Sequence, residues 1–331
     1  MGNYLLTGVA GFIAARVAEM LIDAGHSVTG LDDMNDAYDV RLKTYRLSRL
    51  QDRPGFKFHH LDISNRDAVE NFINHTAIET QGNKFDAVIN LAARAGVRQS
   101  VEDPWVYLDA NITGTLNLLE ICRQYGIKKF ILASTSSLYG ANAPLPTSES
   151  TASDHPLQPY AASKKAAEVL AHSYHYLYDI DVTVFRYFTV YGPAGRPDMV
   201  MFRFTQWISE GKPVKVNGNG EQSRGFTFVD DIARGTILGL KPVGYEIINL
   251  GGHESIRINQ LIEILERIIG RKAQVEFLPI HPADMLANWA DVEKAKVLLG
   301  WRPEVSIEEG INRVVDWYRQ EREWARLVNT D

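Results

Sequence analysis

Three side chains in this sequence, Thr135, Tyr160 and Lys164, could together take a proton from an alcohol while hydride leaves the same carbon. Tyr160 and Lys164 are four residues apart, which sets both on one face of a helix. Free tyrosine titrates near 10, so a phenol that serves as a base at neutral pH needs support. Bringing it down to neutrality takes roughly 4 kcal/mol, and two nearby positive charges, Lys164 and an oxidised nicotinamide ring, are a source of that size.

The Tyr-x-x-x-Lys spacing is weak by itself in a chain with 14 tyrosines. Tyr125 and Lys129 fit it too, but Gly126 ends that helix before Lys129 enters a strand, so the second pair cannot share a face. Thr135 belongs to a hydroxyl-rich run, Ser134-Thr135-Ser136-Ser137, that leaves a strand at its C-terminal end. Ligands bind there in open parallel sheets, although an ordinary Ser/Thr turn is the competing explanation.

These residues lie downstream of the glycine run Thr7-Gly8-Val9-Ala10-Gly11-Phe12-Ile13-Ala14. Between a first strand and a first helix, Gly8 permits a tight turn and Gly11 lets backbone approach a pyrophosphate. Ala14 holds the third glycine place, where a small residue is all that helix–strand packing requires. Asp32 follows Gly8 by 24 residues, where an acid meets the adenosine ribose hydroxyls and repels a 2′-phosphate. NAD is therefore expected over NADP. Asp62, ending the third strand, is read either as an adenine contact or as a helix N-cap.

The elements that must position these groups are legible as a rhythm. Tyr4–Thr7, Ser27–Leu31, Phe56–Leu61, Ala87–Leu91, Lys129–Ser134 and Val182–Phe185 are short apolar runs of buried-strand type. Amphipathic stretches at Phe12–Ala24, Asp67–His75, Pro104–Tyr125 and Tyr160–Tyr178 alternate with them. Alternation of this kind predicts an α/β fold, a doubly wound parallel sheet of Rossmann type. After Tyr187 the rhythm breaks into loop chemistry, Gly192-Pro193-Ala194-Gly195-Arg196-Pro197 and Asn217-Gly218-Asn219-Gly220. Phe226–Leu240 and Tyr245–Leu250 read as a helix and a strand returning to the main sheet. The expected division is a dinucleotide-binding domain of 1–187 plus 226–252, and a smaller mixed α/β substrate-binding domain of 188–225 plus 253–331.

Bulk properties narrow the function further. With 331 residues, 45% hydrophobic and 23% charged, the chain has an ordinary globular composition. A net charge of −6 provides no basic footprint for nucleic acid. One cysteine excludes a disulfide framework and a thiolate metal site, and fits a reducing compartment. The N-terminus has no basic leader and carries Glu19 and Asp23, and no uncharged run reaches the roughly 18 residues of a membrane helix. A cytoplasmic protein without membrane contact is expected. His172 and His175 are three apart on a helix, but nothing completes a metal set, and no metal is expected. Arg94, Arg98, Arg196 and Arg224 are suited to phosphate or carboxylate, with a solvated surface role as the alternative for each.

With these residues placed, the chain resembles the extended short-chain dehydrogenase/reductase family and the NAD-dependent sugar-nucleotide epimerases within it. It is most similar there to the UDP-glucuronate 4-epimerases. The stretches LDDMNDAYDVRLK from Leu31, NLAARAGVRQS from Asn90 and RYFTVYGPAGRPDM from Arg186 carry the likeness. The resemblance implies Tyr160 as catalytic base, Lys164 on the nicotinamide ribose and Thr135 on the sugar O4. It implies NAD contacts from Gly8, Gly11, Phe12, Ile13, Asp32, Asn35, Asp62, Ile63, Leu91, Ala92, Ala93, Asn111 and Tyr187. Substrate contacts would come from Arg94, Ser136, Ser137, Thr189, Val216, Arg196 on the uronate carboxylate, and Arg224 and Asp284 on the UDP. The implied reaction interconverts UDP-glucuronate and UDP-galacturonate through a 4-keto sugar, in a homodimer. Alternatives are a 4-epimerase of neutral UDP-hexoses or a UDP-glucuronate decarboxylase. Related dehydratases and decarboxylases carry an acid two residues before the tyrosine that matches Tyr139; here Ser137 stands there, which favours epimerisation. Ala14, Asn217, Gly225 and His281 depart from the family pattern.

Overall fold

Runs such as Leu-Leu-Thr at 5–7 and Ala-Val-Ile-Asn at 87–90 are apolar on both faces, so they are stable only as strands covered by helices on either side. The computed structural model, which describes residues 1–79, 85–252, 255–279 and 287–330, arranges them that way. β1 (Asn3–Thr7) leads into α1 (Phe12–Asp23), β2 (Ser27–Asp32) into α2 (Val40–Gln51), and β3 (Phe56–His60) into α3 (Arg66–Glu79). β4 (Ala87–Asn90) is followed by short helical turns, a π-helical stretch at Leu108–Thr113, and α4 (Gly114–Tyr125). β5 (Lys129–Thr135) runs to α5 (Pro159–Tyr178) and β6 (Asp181–Tyr187). Beyond them come β7 (Thr189–Tyr191), α6 (Val200–Glu210), β8 (Val214–Asn217), β9 (Ser223–Arg224), β10 (Phe226–Phe228) and α7 (Val229–Leu238). The remainder comprises β11 (Tyr245–Leu250), β12 (Ile256–Arg257), α8 (Ile258–Ile269), β13 (Val275–Leu278), β14 (Ala287–Asn288), α9 (Glu293–Leu299) and α10 (Ile307–Gln320).

The main sheet has seven strands in the order β11-β6-β5-β4-β1-β2-β3, and every pairing is parallel. The chain reverses direction across the sheet between β1 and β4, which opens a crevice at the carboxyl ends of those strands. Thr7 and Asn90 face each other there: Thr7 Oγ1 donates to Asn90 Oδ1 at 2.7 Å and accepts the Ala92 amide at 3.1 Å. This is the expected doubly wound α/β fold, with Tyr245–Leu250 added beside β6.

Two expectations change. Phe226–Phe228 is not the start of a helix but a strand, paired in parallel with β7 and continued by α7. Phe-Thr-Phe buries both rings, against Tyr191 and the apolar cluster of α6, α8 and α10, which outweighs the helical look of the longer run. Pro104–Tyr125 is not one regular helix either, because the π-helical stretch widens it around Asn111.

The packing also crosses the expected domain boundaries. One cluster, around Tyr191, Trp207, Phe226, Leu261 and Val315, forms the core between α6, α8 and α10. Ala295, Leu299 and Trp301, far along the chain, pack instead into the core of the main sheet with Leu6, Val17 and Ile232. Among the described residues, no helix is long and apolar enough to cross a membrane.

Candidate active site

The crevice is built first from backbone. Gly8 has φ +70°, and a Cβ there would sit 2.8 Å from the Ala92 Cα and N, so only glycine fits. A Cβ on Gly11 would meet the Gly8 carbonyl at 2.7 Å, so the turn itself demands this glycine before any ligand arrives. Ala14 is buried against the sheet, as the small third residue should be. Asp32 is buried and accepts the Ala10 amide at 3.0 Å and the Met34 amide at 2.8 Å, while Lys43 pairs with it at 3.5 Å. The acid therefore braces the glycine turn as well as facing the crevice. α1 begins at Phe12 with Gly11 as N-cap and no side-chain cap, and no acid stands in its first turn. Its first amides, including those of Ile13 and Ala14, are left to an anion.

These features fit a dinucleotide. Asn35 folds back on Asp33, donating at 2.6 and 2.8 Å beside the loop after β2. Asp62 is exposed and its side chain accepts the Ser64 amide at 2.8 Å; Asn65, which accepts the Ala68 amide at 3.0 Å, is the residue that caps α3. Of the two readings of Asp62, the N-cap is thus taken by another residue. Ile63 is buried under Gly114, and its carbonyl accepts from Asn117 at 2.8 Å. Leu91, Ala92 and Ala93 form the loop leaving β4. Tyr187 turns its hydroxyl away, onto Thr236 at 2.8 Å, so a ligand would meet its backbone rather than its phenol.

Asn111 is the pivot of the next layer. Its amide group donates to the Arg94 carbonyl at 3.1 Å and the Ser163 hydroxyl at 2.9 Å, and its oxygen accepts the Arg94 amide at 2.9 Å. The widened π turn brings its side chain to both partners and thereby ties the β4 loop to α5.

α5 carries Tyr160 and Lys164 on one face, as their spacing requires. Lys164 is buried and pushed down to about 8, because burial disfavours its charge more than Glu168, four residues on, supports it. Burial pushes the Tyr160 phenol above its ordinary value, opposed by a hydrogen bond with Thr135 and by the charge of Arg196. Arg196 is therefore a charge of the protein acting on the phenol that the helical spacing did not announce. Thr135 ends β5, accepts the Ser137 amide at 3.2 Å and donates to the Ser137 hydroxyl at 3.2 Å. The Ser/Thr turn and the Tyr160 contact are therefore two uses of one oriented hydroxyl.

Arg196 is brought to this cluster by the loop after β7, where it pairs with Asp198 through two bonds of 3.0 and 2.6 Å. Burial disfavours its charge, but Asp198 together with the Tyr160 and Tyr38 phenols leaves the guanidinium above its ordinary value. Tyr107 was not expected here and is fully buried beside Tyr160, ring centroids 6.1 Å apart. Arg94 and Arg196 both act on its phenol, which burial raises. It precedes Asn111 by four residues, a helical spacing that was its only signal.

The remaining predicted contacts lie toward the cluster around Tyr191 and Trp207. Ser136 is buried and accepts from Asn288 on β14 at 3.3 Å. Thr189 opens β7, and Arg224 lies on β9, between β12 and β14. The Val216 side chain is packed in the core, leaving its backbone for a ligand. Asp284 and His281 lie outside the described residues. Gly225 has a physical reason: a Cβ would meet the Gly252 carbonyl at 2.5 Å and the Trp289 Cβ at 2.8 Å, so no side chain could stand there in this backbone.

The likeness to known proteins runs nearly the whole length of the chain. Over 329 residues, and 99% of both chains, the sequence is 58% identical to a UDP-glucuronate 4-epimerase of Thermodesulfobacterium geofontis. The crystal structure of UDP-glucuronic acid 4-epimerase from Bacillus cereus, in complex with UDP-glucuronic acid and NAD, superposes with a TM-score of 0.88. It is 36% identical and covers 96% of this chain and 99% of its own. A UDP-glucose 4-epimerase of Thermotoga maritima, solved with UDP-glucose, matches with a TM-score of 0.87 at 32% identity, covering 97% and 99%. The family model of NAD dependent epimerases and dehydratases matches residues 4–251, and the chain belongs to that family.

Proposed function

We propose that this protein is an NAD-dependent UDP-glucuronate 4-epimerase, interconverting UDP-glucuronate and UDP-galacturonate. The observation that carries the reading is the Arg196 guanidinium, close enough for its charge to act on the Tyr160 phenol, where a sugar presented to Tyr160 would meet it. Its fork suits a carboxylate, and it already holds that of Asp198 through two bonds. The full-length identity to a named uronate epimerase supports the same assignment.

When bound, NAD accepts a hydride from C4 of the sugar and returns it. Gly8, Gly11 and the uncapped start of α1 would hold its pyrophosphate, Asp32 its adenosine ribose and Lys164 the nicotinamide ribose. Tyr160 takes the O4 proton and gives it back, and Thr135 orients O4 toward it. Ser136 and Ser137 line the pocket without supplying an acid, so the 4-keto sugar is not driven toward elimination. Arg196, holding the carboxylate, keeps it from the geometry in which a β-keto acid loses CO₂. Arg94, Thr189, the Val216 backbone, Arg224 and Asp284 would complete the nucleotide-sugar contacts.

We further propose two parts, a dinucleotide half and a nucleotide-sugar half, with β10 allied to the latter and residues 293–301 to the former. A homodimer through α5 is supported by its outer face, where Val169, Tyr176 and Leu177 are 55%, 81% and 61% exposed. Buried, unpaired Cys122 is in keeping with a cytoplasmic setting.

Incubation with UDP-glucuronate, followed by proton NMR, tests the reading. UDP-galacturonate should form with no net NADH absorbance. A UDP-pentose, an accumulating keto sugar, or turnover of UDP-glucose alone would overturn it.

A further inference from the structure

The stretch around Tyr38 and Lys43 marks the sequence strongly, yet the site described above gives most of it no task. Its structural centre is Arg46, one turn further along α2 and only 4% exposed. Among the described residues no carboxylate pairs with this guanidinium. Instead it donates to backbone carbonyls of two separate loops. Nε and one terminal nitrogen reach the Ala194 carbonyl at 2.9 and 2.7 Å, and the latter also reaches Gly195 at 3.4 Å. The other terminal nitrogen reaches the Ala10 carbonyl at 3.1 Å and the Tyr38 hydroxyl at 2.7 Å. The rings of Phe12 and Tyr38 lie 5.8 and 5.5 Å from its central carbon. Burying a cation away from water is expensive, so these partners must hold it in one arrangement.

Both loops are parts of the site. Ala10 sits within the glycine run, and Asp32 holds its amide while Arg46 holds its carbonyl, so the residue is fixed at both ends. Ala194 has φ +51°, a left-handed backbone that alanine adopts only when its surroundings impose it. Two residues on is Arg196. Gly195 and Gly192 press on the Phe12 ring, where added Cβ atoms would lie 3.7 and 3.3 Å from its tip. The loop that aims Arg196 is thus fastened to the loop that receives the dinucleotide, through one side chain.

We propose that Arg46 is a positioning residue that latches the 192–197 loop to the glycine run, so that seating the dinucleotide also sets Arg196 for a uronate carboxylate. The specificity part rests on the function proposed above; the latch itself does not. Lysine cannot replace the fork, because one ammonium cannot reach carbonyls of both loops in this geometry.

Two measurements test it on the full-length protein. Hydrogen–deuterium exchange of the 192–197 segment, with and without NAD, reads the latch. NAD should slow exchange there in the wild type, and Arg46→Lys should abolish that protection. Calorimetry with NAD present reads specificity as the ratio of dissociation constants for UDP-glucose and UDP-glucuronate. Arg46→Lys should shrink that ratio about tenfold. In an Arg196→Ala background the same substitution should leave it unchanged, since the effect passes through Arg196. Should Arg46→Lys fail to fold, Tyr38→Phe removes a single acceptor and should move both readouts the same way by a smaller factor. NAD protection that survives in the variant overturns the latch. Equal weakening of both sugars, or an effect undiminished in Arg196→Ala, overturns the specificity role. A wild type without preference for the uronate would instead defeat the substrate assignment, leaving the exchange result to stand.

Discussion

Alanine at Gly8 and alanine at Gly25 should behave differently for a reason visible in the backbone. Both glycines have positive φ, +70° and +82°. A left-handed alanine costs about 1–2 kcal/mol, and for Gly25 that is the whole penalty, because nothing lies within 4 Å of its added Cβ. At Gly8 the Cβ would meet Ala92 backbone at 2.8 Å, which no side-chain rotation can relieve. Forcing such a contact adds about 1–3 kcal/mol, for a total of about 2–5 kcal/mol. The shift would also displace the turn that receives the pyrophosphate, and losing one charge-assisted hydrogen bond weakens binding about tenfold or more. Thermal unfolding gives the first quantity and quenching of tryptophan fluorescence by NAD the second. Gly25→Ala should lose some stability and keep its NAD affinity, whereas Gly8→Ala should lose more of the former and at least tenfold of the latter. Equal behaviour of the two variants in both assays would refute the reasoning.

Tyr160→Phe should lower turnover about 10²–10⁴-fold while NAD affinity is retained; a variant of near-normal activity would remove Tyr160 as the base. Thr135→Val should lower kcat/KM about tenfold and move the acidic limb of the pH–rate profile to higher pH, because its hydrogen bond lowers the phenol. Turnover should fall as pH rises past about 8, where Lys164 loses its charge. Stability should move the opposite way. Between about 8 and the ordinary 10.5, Lys164 is neutral in the folded chain and charged in the unfolded one, so unfolding takes up a proton and Lys164's share of stability grows with pH. A profile that stays flat to pH 10, in wild type and Lys164→Met alike, would contradict both statements.

The parts of this site that share one local unit of structure were legible in the sequence. Gly8, Gly11 and Asp32 share one βαβ unit, and Tyr160 with Lys164 share one helical face, so spacing alone places them. The decoy Tyr125–Lys129 was separable on the same grounds, and Gly126 does end α4 with a φ of +65°. Tyr107 and Arg46 were not legible, because each matters through partners that only the tertiary structure supplies. Arg46 reaches Ala194 across 148 residues. Phe226–Phe228 was misread because its pairing with β7, rather than its composition, decides its state. The π turn at Asn111 left no mark in a pattern that reads equally well as α-helix.

β11 has a consequence for how the molecule is made. It pairs with β6 residue by residue, Tyr245 on Val182 through Leu250 on Tyr187. The intervening 57 residues must leave the ribosome first. Until then β6 presents a bare row of amides and carbonyls, apolar on both sides, which is a template for any passing strand. Truncations before Tyr245 should therefore aggregate even though they retain Tyr160 and the entire glycine run, and chaperone demand in the cell should concentrate on that interval of synthesis.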